Sequence, residues 1–409
     1  ARRPVREILA SIDQVIQRWL DPNSSERQEA EARLPETTGL SSEMIQHIIP
    51  LIFQEYRAKN LEALLVDELG SLEVLDYFVS SSQGQKRVYG PRLMTHILAG
   101  NLPGAGLDSV IFSLLVKSST LVKASSTEPL LPILFARSIH EIDPDLGSCL
   151  AVVTWPGGKA ALEDVALTRA DVVVASGSDE SLAVIRQRVE GQFIGYGHKV
   201  SFSLVAKERL TDAEKLAQQT AYDVTLYDQQ GCLSPQLVYV QEGGAITPKD
   251  FAALLAVAFA HWQIVLPRGP VTPDVSTAIR KVRDEAEWQA VAGKDVVLHA
   301  SPRGTDWTVI YDTDPMFVPS PLYRTIRVKP LQNIEQLSGI VDSWRPYLEA
   351  VGVAAGPEQM MGIADTLAAL GVARVCPIGT IQTPPLSWQH GERPRIGDFV
   401  RWVGLERRR

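Results

Sequence analysis

The sequence predicts an α/β protein organised on an open, mostly parallel sheet, with a helical region in front of it. Two observations carry that prediction. From residue 93 onward, short apolar runs that read as buried strands alternate with helical segments, as at 120–123, 150–154 and 171–175. Turns rich in glycine, asparagine and serine follow these runs, at 100–106 and 176–181. The length of 409 residues, with 45% hydrophobic and 22% charged residues, gives room for two or three domains and makes disorder unexpected.

Residues 1–85 read as helical throughout. Ile8, Ile12, Val15, Ile16 and Trp19 fall on one face of a first helix, and the segment lacks the uninterrupted apolar core of a secretory leader. It is expected to be a docking helix. Ser41 and Ser42 precede Met44, Ile45, Ile48, Ile49 and Ile52, a capped amphipathic pattern, and 71–80 reads as a further helix. A strand at 94–99, the loop 100–106, a helix at 107–116 and a strand at 120–123 form a strand–helix–strand unit. A helix at 129–141 and a strand at 150–154 extend it. A short helix at 159–167, the strand 171–175 and a helix ending near Arg188 complete the alternation. The pattern then restarts with helices at 211–219, 250–262 and 275–291, the last behind a proline-containing linker at 267–273. Strands are expected at 237–240, 307–311, 325–328 and 372–375. The expected division is a helical N-terminal region at 1–85 packed on an open, mostly parallel α/β domain at 86–206. A second domain at 207–380 and a tail at 381–409 complete the chain.

A formal charge of −8 argues against nucleic acid as the main partner. Cys149, Cys232 and Cys376 are odd in number and far apart, which fits a reducing cytoplasm. No spacing ties them to a histidine, so no metal is expected. The most apolar stretch, 254–266, is short and contains His261, Trp262 and Gln263, so no membrane span is expected.

Cys232 is the first candidate for chemistry. It lies in a turn of small residues, Gly231 before it and Leu233-Ser234-Pro235 after it, ahead of an apolar strand. A thiolate at the mouth of such a turn can attack a carbonyl, although a lone cysteine is often just a small buried apolar residue. Three loops at the carboxyl ends of strands are candidates for a ligand. In 100–106 the Asn101 amide can donate to an oxyanion or simply hold the turn. In 123–126 Lys123 can reach a ribose or phosphate, while Ser125 and Ser126 can equally be helix caps. At Gly177 and Ser178 a helix N-terminus can receive a pyrophosphate, or be a plain turn.

In order, the segments HILAGNLPGAG, TLVKASSTEP, ADVVVASGSDES, GYGHKVSF, DQQGCLSPQ and RVCPIGTIQTPPLSWQHG closely resemble the LuxC-type acyl-CoA reductase family. That family is a branch of the aldehyde dehydrogenase superfamily that supplies aldehyde for bacterial bioluminescence. The resemblance implies an aldehyde-dehydrogenase-like fold with a Rossmann-type nucleotide domain. It implies Cys232 as the nucleophile and the Asn101 side chain with the Cys232 backbone N–H as the oxyanion hole. Lys123, Ser125, Ser126, Gly177 and Ser178 are implied as the nucleotide site. Where many superfamily members have a ribose-binding glutamate, this chain has Ser126, which favours NADPH while leaving NADH possible. The segment 194–199 carries no carboxylate where hydrolytic relatives have a water-activating glutamate, so the implied direction is reduction. His198, in the same segment, can be a general base or acid, or a packed, hydrogen-bonded histidine; His390 is a second, weaker candidate.

The implied substrate is a fatty acyl-CoA or an acyl group on a protein. An acyl-protein synthetase or acyl-transferase is a possible partner, and a homo-oligomer is expected. The competing readings are an acyl-phosphate reductase, an oxidising aldehyde dehydrogenase, and a non-catalytic partner subunit.

Overall fold

A computed structural model of the chain describes residues 3–406 except Gln83 and Asn101. The chain forms two compact units, the first drawn from Ala1–Thr38, Ile49–His198 and Pro385–Arg409, the second from Gly39–Ile48 and Lys199–Pro384. Strands are numbered in chain order.

In the first unit, β1 (Val79–Ser81), β2 (Gly84–Tyr89) and β15 (Arg401–Glu406) make an antiparallel sheet in the order β1-β2-β15. The helix expected over 71–80 is instead a 3-10 turn, Leu72–Leu75, followed by β1. The ladder that stabilises β2 comes from the other end of the chain, so no local pattern announces it. A five-stranded parallel sheet contains β3 (Leu93–Ile97), β4 (Ser119–Lys123), β5 (Leu150–Val153), β6 (Val172–Ser176) and β7 (Gln192–Tyr196), in the order β5-β4-β3-β6-β7. The order runs outward from β3 to β5, then reverses to β6. The crevice of such a reversal lies beyond the carboxyl ends of β3 and β6.

The first helix, Val5–Leu20, buries Ile8, Ile12, Val15, Ile16 and Trp19, the stripe seen in the sequence. Trp19 stacks on Phe53 at 4.6 Å and donates to Ser138 Oγ at 3.0 Å. The stripe is spent inside this unit's own core. Among the described residues no helix is long and apolar enough to cross a membrane.

The second unit holds a seven-stranded sheet. Its strands are β8 (Val200–Val205), β9 (Pro235–Gln241), β10 (Val296–Ala300), β11 (Thr308–Asp312), β12 (Thr325–Leu331), β13 (Leu348–Ala354) and β14 (Arg374–Pro377). They run β10-β11-β12-β9-β8-β13-β14, parallel apart from β10. β8, β9 and β13 are buried at every position. Successive residues of β9 serve opposite faces: Val238 and Val240 pack with helices Ala213–Thr225 and Pro248–Val265, while Leu237 and Tyr239 pack toward Phe317 and helix Pro357–Ala369. Thr247 and Asp250 form a capping box that starts the helix Pro248–Val265.

Candidate active site

Cys232 is exposed, the second residue of a turn immediately ahead of β9. The Ser234 N–H donates to Gly231 O at 3.0 Å and closes the turn, and the Gly231 N–H donates to the Ser234 hydroxyl at 3.2 Å. The Cys232 carbonyl accepts from the Ser201 hydroxyl at 2.8 Å, and that hydroxyl accepts from Ala350 N–H at 3.2 Å. Ser201 begins the ladder between β8 and β9, so the cysteine's own carbonyl is tied to the central strands.

The approach to the turn is unusual. The helix expected over 211–219 runs further, Ala213–Thr225, and is followed by three left-handed residues, Tyr227 (φ 55°), Asp228 (φ 50°) and Gln229 (φ 64°). None is glycine, and each costs roughly 1–2 kcal/mol in that region. A second left-handed run, Leu322 (φ 66°), Tyr323 (φ 51°) and Arg324 (φ 62°), leads into β12. The two runs hold each other. Asp228 Oδ1 accepts from Arg324 Nε at 2.9 Å and Nη2 at 2.6 Å, with both side chains almost wholly buried. Gln229 donates to Pro235 O (2.8 Å) and Thr325 O (3.0 Å) and accepts from Thr325 N–H (2.8 Å). Burial pushes the Asp228 carboxyl up and the Arg324 guanidinium down; their mutual attraction opposes both shifts.

A second brace reaches the turn from the loop after β14. Asp223 is buried and accepts from Gly379 N–H (2.6 Å) and Ile381 N–H (3.3 Å), while Arg374 donates to Ile381 O (2.6 Å) and Thr380 O (3.0 Å). Burial pushes the Asp223 carboxyl up to about 8, against the pull of the two N–H groups and Arg374. The loop then presents Gln382, whose amide donates to Ser234 Oγ at 2.5 Å and to Asp223 O at 3.1 Å.

In the first unit, Lys123 ends β4 half-buried, and Ser126 is exposed in the loop beyond it. The Ser125 hydroxyl lies 2.9 Å from that of Thr127, which donates to Gly100 O at 2.9 Å. The next helix, Leu130–Ile142, receives its side-chain acceptor from Glu128, on Leu131 N–H at 2.9 Å, and not from either serine. Glu128 is buried, and burial raises its carboxyl. The Gly177 N–H donates to Tyr196 O at 3.2 Å, and the Ser178 hydroxyl caps helix Asp179–Arg188 by accepting from Ser181 N–H at 3.3 Å. Asp179 and Glu180 place two carboxylates in the first turn of that helix.

His198 is exposed after β7, its backbone N–H 3.5 Å from Asp179 Oδ1, so its ring is not packed in a core. His390 is packed. It stacks on Tyr196 at 4.4 Å and lies 4.9 Å from Trp388. Asn101 lies outside the described residues. Among those described, no three His, Cys, Asp or Glu side chains gather as a metal site.

The sequence singled out Cys232 but not Ser201, Asp223, Asp228, Arg324 or Gln382, which hold its turn. Ser201, Asp228 and Gln382 lie within quoted motifs, yet only their partners in the fold reveal what they do.

The fold, with its two mostly parallel sheets, is aldehyde-dehydrogenase-like, as two solved structures show. An NAD-dependent benzaldehyde dehydrogenase from Corynebacterium glutamicum is similar with a TM-score of 0.73 at 16% identity, covering 100% of this chain and 87% of its own. The aldehyde dehydrogenase KauB from Pseudomonas aeruginosa gives 0.73 at 15%, covering 97% and 84%. This chain belongs to the LuxC acyl-CoA reductase family, whose profile matches residues 1–402. Long-chain acyl-protein thioester reductases from Aliivibrio fischeri (26% identical, covering 98% of this chain and 82% of theirs) and Photorhabdus luminescens (27%, 96% and 80%) are among its relatives.

Proposed function

We propose that this protein reduces a long-chain acyl thioester to the fatty aldehyde through an acyl group carried on Cys232. The observation that carries the reading is the exposed Cys232 on a turn braced by buried side chains, in a member of an acyl-CoA reductase family. The thiolate sulfur attacks the thioester carbonyl, the carbon–sulfur bond to the carrier breaks, and the carrier leaves as its thiol after taking a proton. His198, exposed and in the segment that lacks a carboxylate, is the proposed carrier of that proton. The Cys232 backbone N–H and the Asn101 amide are the proposed oxyanion donors, each worth a few kcal/mol where such donors have been removed. With no carboxylate in 194–199 to activate water, the acyl-cysteine survives to be reduced. A reduced nicotinamide nucleotide, when bound, supplies hydride. The Cys232 sulfur is the leaving group that frees the aldehyde and returns as thiol.

NADPH is the proposed nucleotide. Ser126 puts an uncharged hydroxyl beyond β4, and the nearby carboxylate of Glu128 is buried in its capping role, so nothing in this loop repels a ribose 2′-phosphate. Lys123, on one side of β3, is proposed to meet the phosphate charge. Gly177 and Ser178, on the other side, contribute contacts away from that charge, because Asp179 and Glu180 oppose an anion there. The acyl carrier is CoA or a protein, and the names of the relatives favour a protein, with an acyl-protein synthetase or acyl-transferase as its source.

The test is intact mass after mixing the protein with hexadecanoyl-CoA or a hexadecanoyl carrier-protein thioester, without nucleotide and then with NADPH or NADH. An acyl adduct on Cys232 that is lost on adding NADPH, with aldehyde formed, is expected. No adduct from either donor would sink the proposal.

A further inference from the structure

We propose that Gln382 is a positioning residue for Cys232, acting through the hydroxyl of Ser234. The inference rests on the reading of Cys232 as the nucleophile. Its geometry is closed. The Gln382 amide has two N–H donors, and each has an acceptor: Ser234 Oγ at 2.5 Å and the Asp223 carbonyl at 3.1 Å. A carbonyl can only accept, so the amide must present its nitrogen and its orientation is determined. Ser234, 1% exposed, accepts from Gln382 and from the Gly231 N–H, and its own N–H closes the turn on Gly231 O. One hydroxyl therefore joins both ends of the turn that carries Cys232 to a residue 148 positions along the chain.

The loop that presents Gln382 is itself held on both of its polar sides, N–H groups by the Asp223 carboxyl and carbonyls by the Arg374 guanidinium. Gly379, at φ +92°, lets the loop turn against Gln219, which an added Cβ would meet at 3.1 Å. The Cys232 side chain needs such a support. It is exposed on the turn, so the backbone of that turn sets where the thiol starts from. Small displacements of a reacting group cost large factors in rate.

The experiment is single-turnover acylation of Cys232 by hexadecanoyl-CoA, followed by mass, in the wild type, Gln382→Leu, Ser234→Ala and the double variant. Circular dichroism and thermal melting check that each is folded. Gln382→Leu is expected to slow acylation about tenfold with the concentration for half-maximal rate little changed. The double variant is expected to be no slower than Ser234→Ala, because the amide acts through that hydroxyl. Gln382→Glu sharpens the test: as an ionised carboxylate it faces the Asp223 carbonyl and Ser234 with no donor, and on protonation it regains one O–H. Its acylation rate relative to wild type is therefore expected to recover as pH falls. Folded Gln382→Leu that acylates at the wild-type rate, or additive losses in the double variant, would overturn the positioning role. A wild type that forms no adduct on Cys232 from hexadecanoyl-CoA or from a hexadecanoyl carrier-protein thioester would instead remove the nucleophile reading on which the role depends.

Discussion

The two parallel sheets use polar side chains in opposite ways. In the second unit, polar and charged groups are buried around one exposed thiol. Asp223, Asp228, Gln229, Ser234 and Arg324 are all within a few per cent of full burial, and each takes part in a named hydrogen bond. In the first unit, the polar loops at the strand ends are open. Ser126 and Ser178 are exposed, and Ser125 and Thr127 bond to one another or to nearby backbone. On the proposed roles of Cys232 as nucleophile and of these loops as the nucleotide site, the contrast follows from what each would have to do. A nucleophile must be aimed, and aiming a surface thiol takes buried support. A nucleotide brings its own phosphates and hydroxyls, so its site needs reachable donors and room.

Five substitutions test that contrast. Cys232→Ala is expected to abolish acylation altogether, read by intact mass, while leaving NADPH binding by fluorescence unchanged. Arg324→Met leaves Asp228 buried without its partner and is expected to cost about 3–5 kcal/mol in urea unfolding. Joint replacement with Asp228→Leu should recover part of that. Arg57→Ala in the first unit breaks a half-exposed pair with Asp13 (2.6 Å) and should cost under about 1 kcal/mol. Equal losses at the two pairs would erase the contrast. Ser126→Glu is expected to move the NADPH/NADH preference about tenfold toward NADH, measured as the ratio of kcat/KM values.

Two further effects are expected in pH dependence, and they have opposite signs. Asp223 is raised by burial to about 8, so the folded form keeps a proton that the unfolded chain has already lost. Its contribution to stability is therefore present below the ordinary carboxyl range and lost as pH rises toward about 8, and Asp223→Asn should flatten that slope. His96, buried in β3 with Nδ1 3.0 Å from Ser109 Oγ, is lowered by burial to about 4. The unfolded chain takes up that proton first, so stability falls as pH drops from about 6.5 to about 4, and His96→Gln should flatten it. Thermal midpoints across pH 4 to about 9 check both.

Much of the first unit was legible in the sequence because its signals are local. β3, β4, β5 and β6 are short apolar runs followed by small-residue turns, and each was placed within about two residues. β8, reading VSFSLV, was missed because Ser201 and Ser203 break an apolar run, although both are fully buried. β13, reading LEAVGVA, hides in the same way behind the buried Glu349. The extended helix before Cys232 ends in a left-handed run built from Tyr227, Asp228 and Gln229, residue types that announce no such turn.

The alternation of strand and helix, the family, and Cys232 as the residue to watch are legible along the chain. The alternation and the Cys232 turn are readable from near neighbours, because strand burial, helix periodicity and turn chemistry are local, and the family from the order of six short segments along the chain. What braces the Cys232 turn is set by contacts between distant parts of the chain. Asp228 meets Arg324 across 96 positions and Gln382 meets Ser234 across 148. A buried donor and its acceptor are chosen by the space between packed elements, and no spacing along the chain records that choice.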